Sequence, residues 1–344
     1  MDKKIILSVA GSWKTTYLLN DLDEEKRSLI ITYTIANTQN IQKWILKKFW
    51  YFPNNIKLVS FFTFLYSFCF RPYFLKDSES KWISFIPPPD FTKYKKRTDK
   101  DFYISENDKI YHNRISEYII NNWWVELIKN RLERYYDKLY IDEVQDIGWF
   151  DFALLEKLVK ANIDHLYVWD FFQHTFDTSR DGIKNKNLYE NNPKYIATCK
   201  KMWLTVDTTT LINSHRCNIV VCDFIRERLW IQIFSSSTRI WEIWFIQDNE
   251  SAERLFHDNS IVKLFYQNAH KYPCYSNNWG NCKWIDDYYD VCIVLNPETL
   301  KFFKSKTLVK LKDRTKNKFY VACTRSRWHI YFVPDTHYKK YLIK

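Results

Sequence analysis

The chain is poor in glycine: 4 in 344 residues, where an ordinary share of about 7% would give roughly 24. It carries 15 tryptophans, usually among the rarest residues, and the two counts together make 19. That total approaches the normal glycine number alone, which suggests that many tryptophans stand where glycine belongs. Other absences narrow the class. No uncharged apolar run is long enough to span a bilayer, and the mean hydropathy is −0.45, which excludes a membrane-spanning reading. The 8 cysteines are scattered with no CxxC pair and no Cys/His cluster at zinc-finger spacing. Neither a disulfide framework nor a structural zinc site is therefore supported, and reduced thiols in the cytoplasm are expected. Neither an internal repeat nor a low-complexity tract is present.

What remains is globular: 46% hydrophobic and 27% charged residues, with length for two or three domains. The net charge of +12 favours a polyanionic partner, although a basic surface equally serves solubility. Lys3 and Lys4 precede a short apolar stretch that runs into Lys14 and Thr15, so the start reads as a buried strand and not as a leader. Apolar segments at Ile5 to Ala10, Ser28 to Tyr33 and Ile56 to Ser60 alternate with segments of helical period. That alternation predicts a parallel sheet covered by helices. Pro87-Pro88-Pro89 and the run Lys93 to Arg97 mark an irregular basic insertion, read as a solvated loop. A helix is expected around Ser116 to Tyr135, then the strand Lys138 to Ile141, a helix Phe150 to Lys160 and the strand His165 to Val168. From Leu204 a second block holds a helix Asn218 to Leu229, the strand Val291 to Leu295, a helix within Lys316 to Arg325 and the strand His329 to Val333. The expected architecture is α/β in two domains, 1–203 with a small insertion at about 71–130, and 204–344.

Two motifs carry chemistry. Ser8 to Thr15, SVAGSWKT, follows a strand and places Lys14 and Thr15 as a phosphate loop does. There backbone N–H groups face the phosphates, Lys supplies a point charge and Ser/Thr holds Mg²⁺. The loop residues expected at the nucleotide are Gly11, Ser12, Trp13, Lys14, Thr15 and Thr16. Ser8 and Trp13 replace the pattern's two glycines, and Trp13 puts a Cβ and an indole where backbone must wrap closely. The second motif, Leu139 to Asp146 (LYIDEVQD), sets Asp142 and Glu143 at the C-terminal end of an apolar strand, where open α/β sheets bind ligands. One carboxylate holds Mg²⁺ while the next polarises the attacking water.

DEVQD resembles the Walker B box of UvrD/Rep/PcrA-type superfamily 1 helicases, and further boxes follow in that family's order. Thr34-Ile35-Ala36-Asn37 resembles TNxA, which touches single-stranded DNA. Trp169 to Gln173 resembles GDxxQ, whose glutamine senses the γ-phosphate. Asn213 to Cys217 resembles NYRS, with His215 in place of the tyrosine that stacks on adenine and Arg216 as a finger. Cys282-Lys283-Trp284 resembles SKG, with Asp286 where the family has Glu, and Tyr320 to Arg327 resembles YVALTRAR, whose arginine here is Arg325.

The resemblance spans residues 5 to 333 and implies two RecA-like domains with the nucleotide in the cleft between them. It implies ATP and Mg²⁺ as cofactors, Thr15 and Asp142 at the metal, and Glu143, Gln173, Arg216 and Arg325 at the reacting phosphate. His215 and Asp286 would lie at the nucleotide, and Thr34, Asn37 and Lys283 at single-stranded DNA. Movement is expected 3′ to 5′, on a single strand or a duplex with a 3′ overhang, with a protein loading partner for so compact a motor and no membrane. Few residues precede the first strand, so the family's glutamine-bearing adenine-recognition segment is not expected. A degenerate ATPase fold serving as a DNA-binding or assembly subunit is the rival reading. A nucleotide kinase is a third, which leaves the paired arginine boxes unexplained.

Tryptophan replaces a family glycine at Trp13, Trp169, Trp284 and Trp328, and glycine also suits the loops at Trp50 and Trp149. Independent changes would scatter over residue types, whereas these all go one way. The pattern fits UGA codons meant as glycine and rendered as tryptophan. An aromatic nucleic-acid-binding surface explains stacking but not the coincidence with glycine positions.

Overall fold

The computed structural model describes residues 1–73, 80, 82–122, 124–174, 192–285 and 287–343, with only the backbone of Trp284. The chain divides into two units. One comprises Met1–Ile6, Thr15–Trp169 and Phe176–Asp207; the other comprises Leu7–Lys14, Asp170–Thr175 and Thr208–Lys344.

The first unit is built on a six-stranded sheet. Its strands are β1 (Lys3–Ser8), β2 (Ser28–Thr32), β3 (Ile56–Ser60), β6 (Lys138–Asp142), β7 (Asp164–Trp169) and β8 (Thr205–Leu211). They lie in the order β3-β2-β6-β7-β1-β8. β2 is buried at every position, as a strand covered on both faces must be, and it pairs in parallel with β3 and β6. β6 pairs in parallel with β7, ending on Asp142 opposite Val168. β8, which the sequence reading places in the second block, is this sheet's edge strand. The helix Ile35–Phe49 begins where Thr34 Oγ1 accepts the Asn37 N–H at 3.1 Å, a side-chain cap for an otherwise orphaned donor.

The insertion is more ordered than a solvated loop. β4 (Trp82–Ser84) and β5 (Lys109–Tyr111) pair in parallel. Arg114, 1% exposed, donates to Thr92 Oγ1 at 3.0 Å and to the Phe102 carbonyl, with its guanidinium 3.9 Å from the Phe102 ring centre. The single helix expected over 116–135 is two, Ile115–Asn121 and Val125–Tyr135.

The second unit holds a five-stranded sheet of β9 (Ile243–Phe245), β10 (Val262–Phe265), β11 (Ser276–Asn278), β12 (Val291–Leu295) and β13 (Ile330–Pro334), in the order β9-β13-β12-β10-β11. Its neighbours all run parallel. Its core joins Val262, Leu264, Ile293 and Phe332 to helical Ile225, Phe319 and Val321, and to Val9 and Ala10. Helices are capped by Asn218, whose Oδ1 accepts from Val220 and Val221, and by Asn296, which precedes Pro297.

The backbone has an unusual left-handed population. Nine described non-glycine residues have positive φ, and five are tryptophans: Trp13, Trp50, Trp149, Trp203 and Trp230, at φ 59, 67, 54, 67 and 58°. The others are Asp108, Glu143, Asn268 and Lys306. Left-handed φ suits glycine, tolerates Asn and Asp, and strains a bulky side chain.

His165, on β7, is 1% exposed with Nδ1 2.7 Å from the Tyr167 hydroxyl. Burial, helped by the nearby Lys3 charge, lowers its pKa from 6.5 to about 3. The native imidazole therefore stays neutral while the unfolded one gains a proton below pH 6.5, so stability falls as pH drops from 6.5 towards 3. The expected slope from this residue is about 1.4 kcal/mol per pH unit. Urea unfolding at pH 7 and pH 4.5 checks it: His165→Leu should lose less stability on acidification than the parent chain.

Candidate functional site

In the first unit the chemistry gathers at the C-terminal end of β6. Asp142 is 1% exposed, and one of its carboxylate oxygens accepts hydrogen bonds from Thr15 Oγ1 at 3.0 Å and from the Asn37 side-chain amide at 3.0 Å. Two donors on one oxygen fix the direction in which the carboxylate points. The next residue, Glu143, is 4% exposed and left-handed, at φ 61° and ψ 46°. Its carboxylate accepts from the Gln145 amide. A buried glutamate in a sparsely populated backbone region is the local strain that packing must hold in place.

Thr15 and Asp142 bring two hard oxygen donors together, and among the described residues no group of three His, Cys, Asp or Glu could form a metal cage. The pair suits Mg²⁺, which takes one or two protein oxygens and completes its shell with water and phosphate oxygens. Asn37, expected at DNA, donates to Asp142, and Thr34, also expected there, caps its helix.

The second unit contains the loop Leu7–Lys14 and supports it at three points. Gly11, at φ 72°, lies so close to the Asn213–Cys217 segment that a Cβ there would come within 2.7 Å of Arg216 Cβ and 2.8 Å of Ser214 Oγ. Its carbonyl accepts the His215 N–H at 2.8 Å. The Ala10 N–H donates to the Tyr320 hydroxyl at 2.9 Å, and that hydroxyl donates to Asp170 at 3.3 Å. Burial and the nearby Asp170 charge push the Tyr320 pKa well up, keeping the hydroxyl protonated and able to donate. Ser12 Oγ is buried and has no hydrogen-bond partner among the described residues. Trp13 is 60% exposed, and its indole stacks on His215 with ring centres 3.7 Å apart and planes 10° apart.

The remaining candidates divide. Gln173, 3% exposed, ends a short 3-10 turn whose start Asp170 caps by accepting from Phe172 at 3.1 Å. Arg216, half-buried, donates to the Thr324 carbonyl at 3.3 Å, and Arg325, 2% exposed, donates to the Lys283 carbonyl at 2.8 Å. Lys283 is 3% exposed. Lys14 and Thr16 open the helix Lys14–Asn20 and are half-buried. Asp286 lies outside the described residues. Sequence reasoning missed Tyr320 as a support of the loop and Asn37 as a partner of Asp142. Tyr320 was visible only as a member of the final arginine box.

No protein-family model and no curated protein matches the chain. Solved structures do. A complex of arterivirus nonstructural protein 10, a helicase, with DNA is 12% identical with a TM-score of 0.51, covering 96% of this chain and 60% of that one. The crystal structure of arterivirus nonstructural protein 10 is 12% identical, covering 98% and 62%, with a TM-score of 0.49. The PRRSV helicase is 10% identical, covering 99% and 54%, at 0.46. The chain thus spans about 60% of the length of the first of these helicase chains. It shares the fold of the first of these structures, with α/β units of the RecA-like kind. Among the described residues no helix is long and apolar enough to cross a membrane.

Tyr320→Phe keeps the ring but removes the hydroxyl between Ala10 and Asp170. Leaving buried polar groups unpaired costs about 1–3 kcal/mol, and chemical denaturation of the variant against the parent should show a loss in that range.

Proposed function

We propose that the chain is an ATP-dependent single-stranded DNA translocase or helicase of the UvrD/Rep/PcrA type, moving 3′ to 5′. The observation that carries the reading is the convergence of Thr15 and Asn37 on Asp142, with Glu143 next along the chain, at the C-terminal end of a buried parallel strand. Bound Mg²⁺–ATP would supply the transferable phosphoryl group and the metal's neutralising charge. Thr15 and Asp142 hold the metal, and Lys14 adds a positive charge at the β- and γ-phosphates. Glu143 accepts the proton of the attacking water at its carboxylate, and Gln173 senses the γ-phosphate. Arg216 and Arg325 offset the charge that grows on the phosphoryl oxygens; such fingers are worth about 10³ to 10⁵ in rate. His215 and Asp286 contribute to nucleotide binding.

DNA enters the proposal from three directions: the charge of +12, the sequence resemblance, and the complex in which the arterivirus helicase is bound to DNA. Thr34, Asn37 and Lys283 are proposed at the strand, with Asn37 exchanging between DNA and Asp142. A protein loading partner and a cytoplasmic site of action complete the reading.

Glu143→Gln removes the proton acceptor and should lower DNA-stimulated ATP hydrolysis by about 10²- to 10⁴-fold, and Lys14→Ala should abolish it. Steady-state phosphate release with and without single-stranded DNA measures both, and full activity in the two variants would sink the assignment. One observation favours the rival, a non-catalytic DNA-binding subunit: the indole of Trp13 projects from the phosphate loop and covers His215. Robust hydrolysis by Trp13→Gly, with none by the chain carrying Trp13, would trace that block to a single side chain.

A further inference from the structure

The loop residues suit a bound phosphate except at one position, and that misfit belongs to a wider set. We infer that Trp13, Trp50, Trp149, Trp203 and Trp230 stand at positions where the functional polypeptide carries glycine. Position 13 draws part of its support from the proposed nucleotide site; the other four are independent of it.

Tryptophan is 15 of 344 residues, so composition alone would put fewer than one among nine left-handed residues, yet it fills five. Asp108 and Asn268 are of the types that tolerate this region, and Glu143 sits in the candidate site, whereas tryptophan has no local hydrogen bond to offset the clash between its Cβ and the backbone. Three of the five positions share one structural context. Trp50 and Trp230 end the helices Ile35–Phe49 and Ile219–Leu229, and their N–H groups bond Leu46 and Arg226 carbonyls. Trp203 lies two residues beyond the helix Asn192–Lys201, with its N–H on the Lys200 carbonyl at 3.1 Å. A left-handed residue closing a helix is the commonest structural use of glycine.

The side chains agree. Trp50, Trp203 and Trp230 are 91, 81 and 70% exposed, and among the described residues their rings take part in no hydrogen bond, stacking or cation contact. An indole that contributes large buried area elsewhere buries little at these three positions. Trp279 is the contrast. It is fully buried, its Nε1 donates to the Leu264 carbonyl at 2.8 Å, and its ring meets Phe319 and Tyr266. It is a true tryptophan. Backbone geometry thereby sorts tryptophans that sequence motifs treated alike. Trp169 is buried against Tyr195 and Trp328 packs on Tyr289 and Trp241, neither with left-handed φ, so glycine at those two rests on the motif resemblance alone. Glycine at 13 would keep the loop's left-handed turn and uncover one face of the His215 ring for a planar ligand.

Mass spectrometry of peptides from the protein made in its own host decides the matter. Glycine is expected at 13, 50, 149, 203 and 230 and tryptophan at 279; tryptophan at the five would overturn the inference. A second measurement needs no host. In recombinant protein, Trp50→Gly, Trp203→Gly and Trp230→Gly should each raise the folding equilibrium constant by roughly three- to tenfold, the relief of left-handed strain less the added freedom of the unfolded chain. Trp279→Gly should lower it by more than about a hundredfold through the cavity it leaves. Destabilisation at all four positions would refute the conformational argument, and because neither measurement involves nucleotide or DNA, the proposed activity stands or falls separately.

Discussion

The hydroxyl of Tyr320 is the hinge of the arrangement. It accepts the Ala10 N–H and donates to Asp170, so one buried oxygen ties the phosphate-type loop, the Asp170–Gln173 turn and the helix that leads to Arg325. A buried backbone N–H needs a partner, and here the partner is a side chain 310 residues away in sequence. Gly11 closes against Ser214 and Arg216 with no room for a Cβ, so the loop's position follows from that fit. Segments that look like separate boxes in the sequence are therefore one packed object within their unit.

The other unit solves a different problem, the burial of charge. Asp142 and Glu143 sit at the end of a strand whose last four residues are buried. Asp142 is tolerated because Thr15 and Asn37 donate to it, and Glu143 because Gln145 does. Each residue that stabilises a carboxylate also fixes its direction. A parallel sheet puts such strand ends on one edge, and chemistry collects there.

Much of this was legible in advance. Strand positions followed from short apolar runs: Ile56–Ser60 and Val291–Leu295 fall where periodicity placed them. The break between Ile115–Asn121 and Val125–Tyr135 was hidden, because both halves share a helical period across it. The order inside the basic insertion was hidden too. Arg114 reads as a surface charge until Thr92 and Phe102 are folded around it. The membership of β8 in the first sheet depends on pairing partners that local pattern does not specify.

The sequence by itself determined the chemical inventory: which residues could bind phosphate, metal and a polyanion, and that glycine is scarce where tryptophan is abundant. Motif spacing and residue type carry that information because donors and acceptors are local properties of the chain. Tertiary structure alone decided that Asn37 meets Asp142 and that Tyr320 holds Ala10, since both contacts join segments more than a hundred residues apart. It also decided which tryptophans sit in strained backbone. A residue's φ is set by the elements on either side of it, and only a folded backbone separates Trp50, left-handed at a helix end, from Trp279, packed in a core.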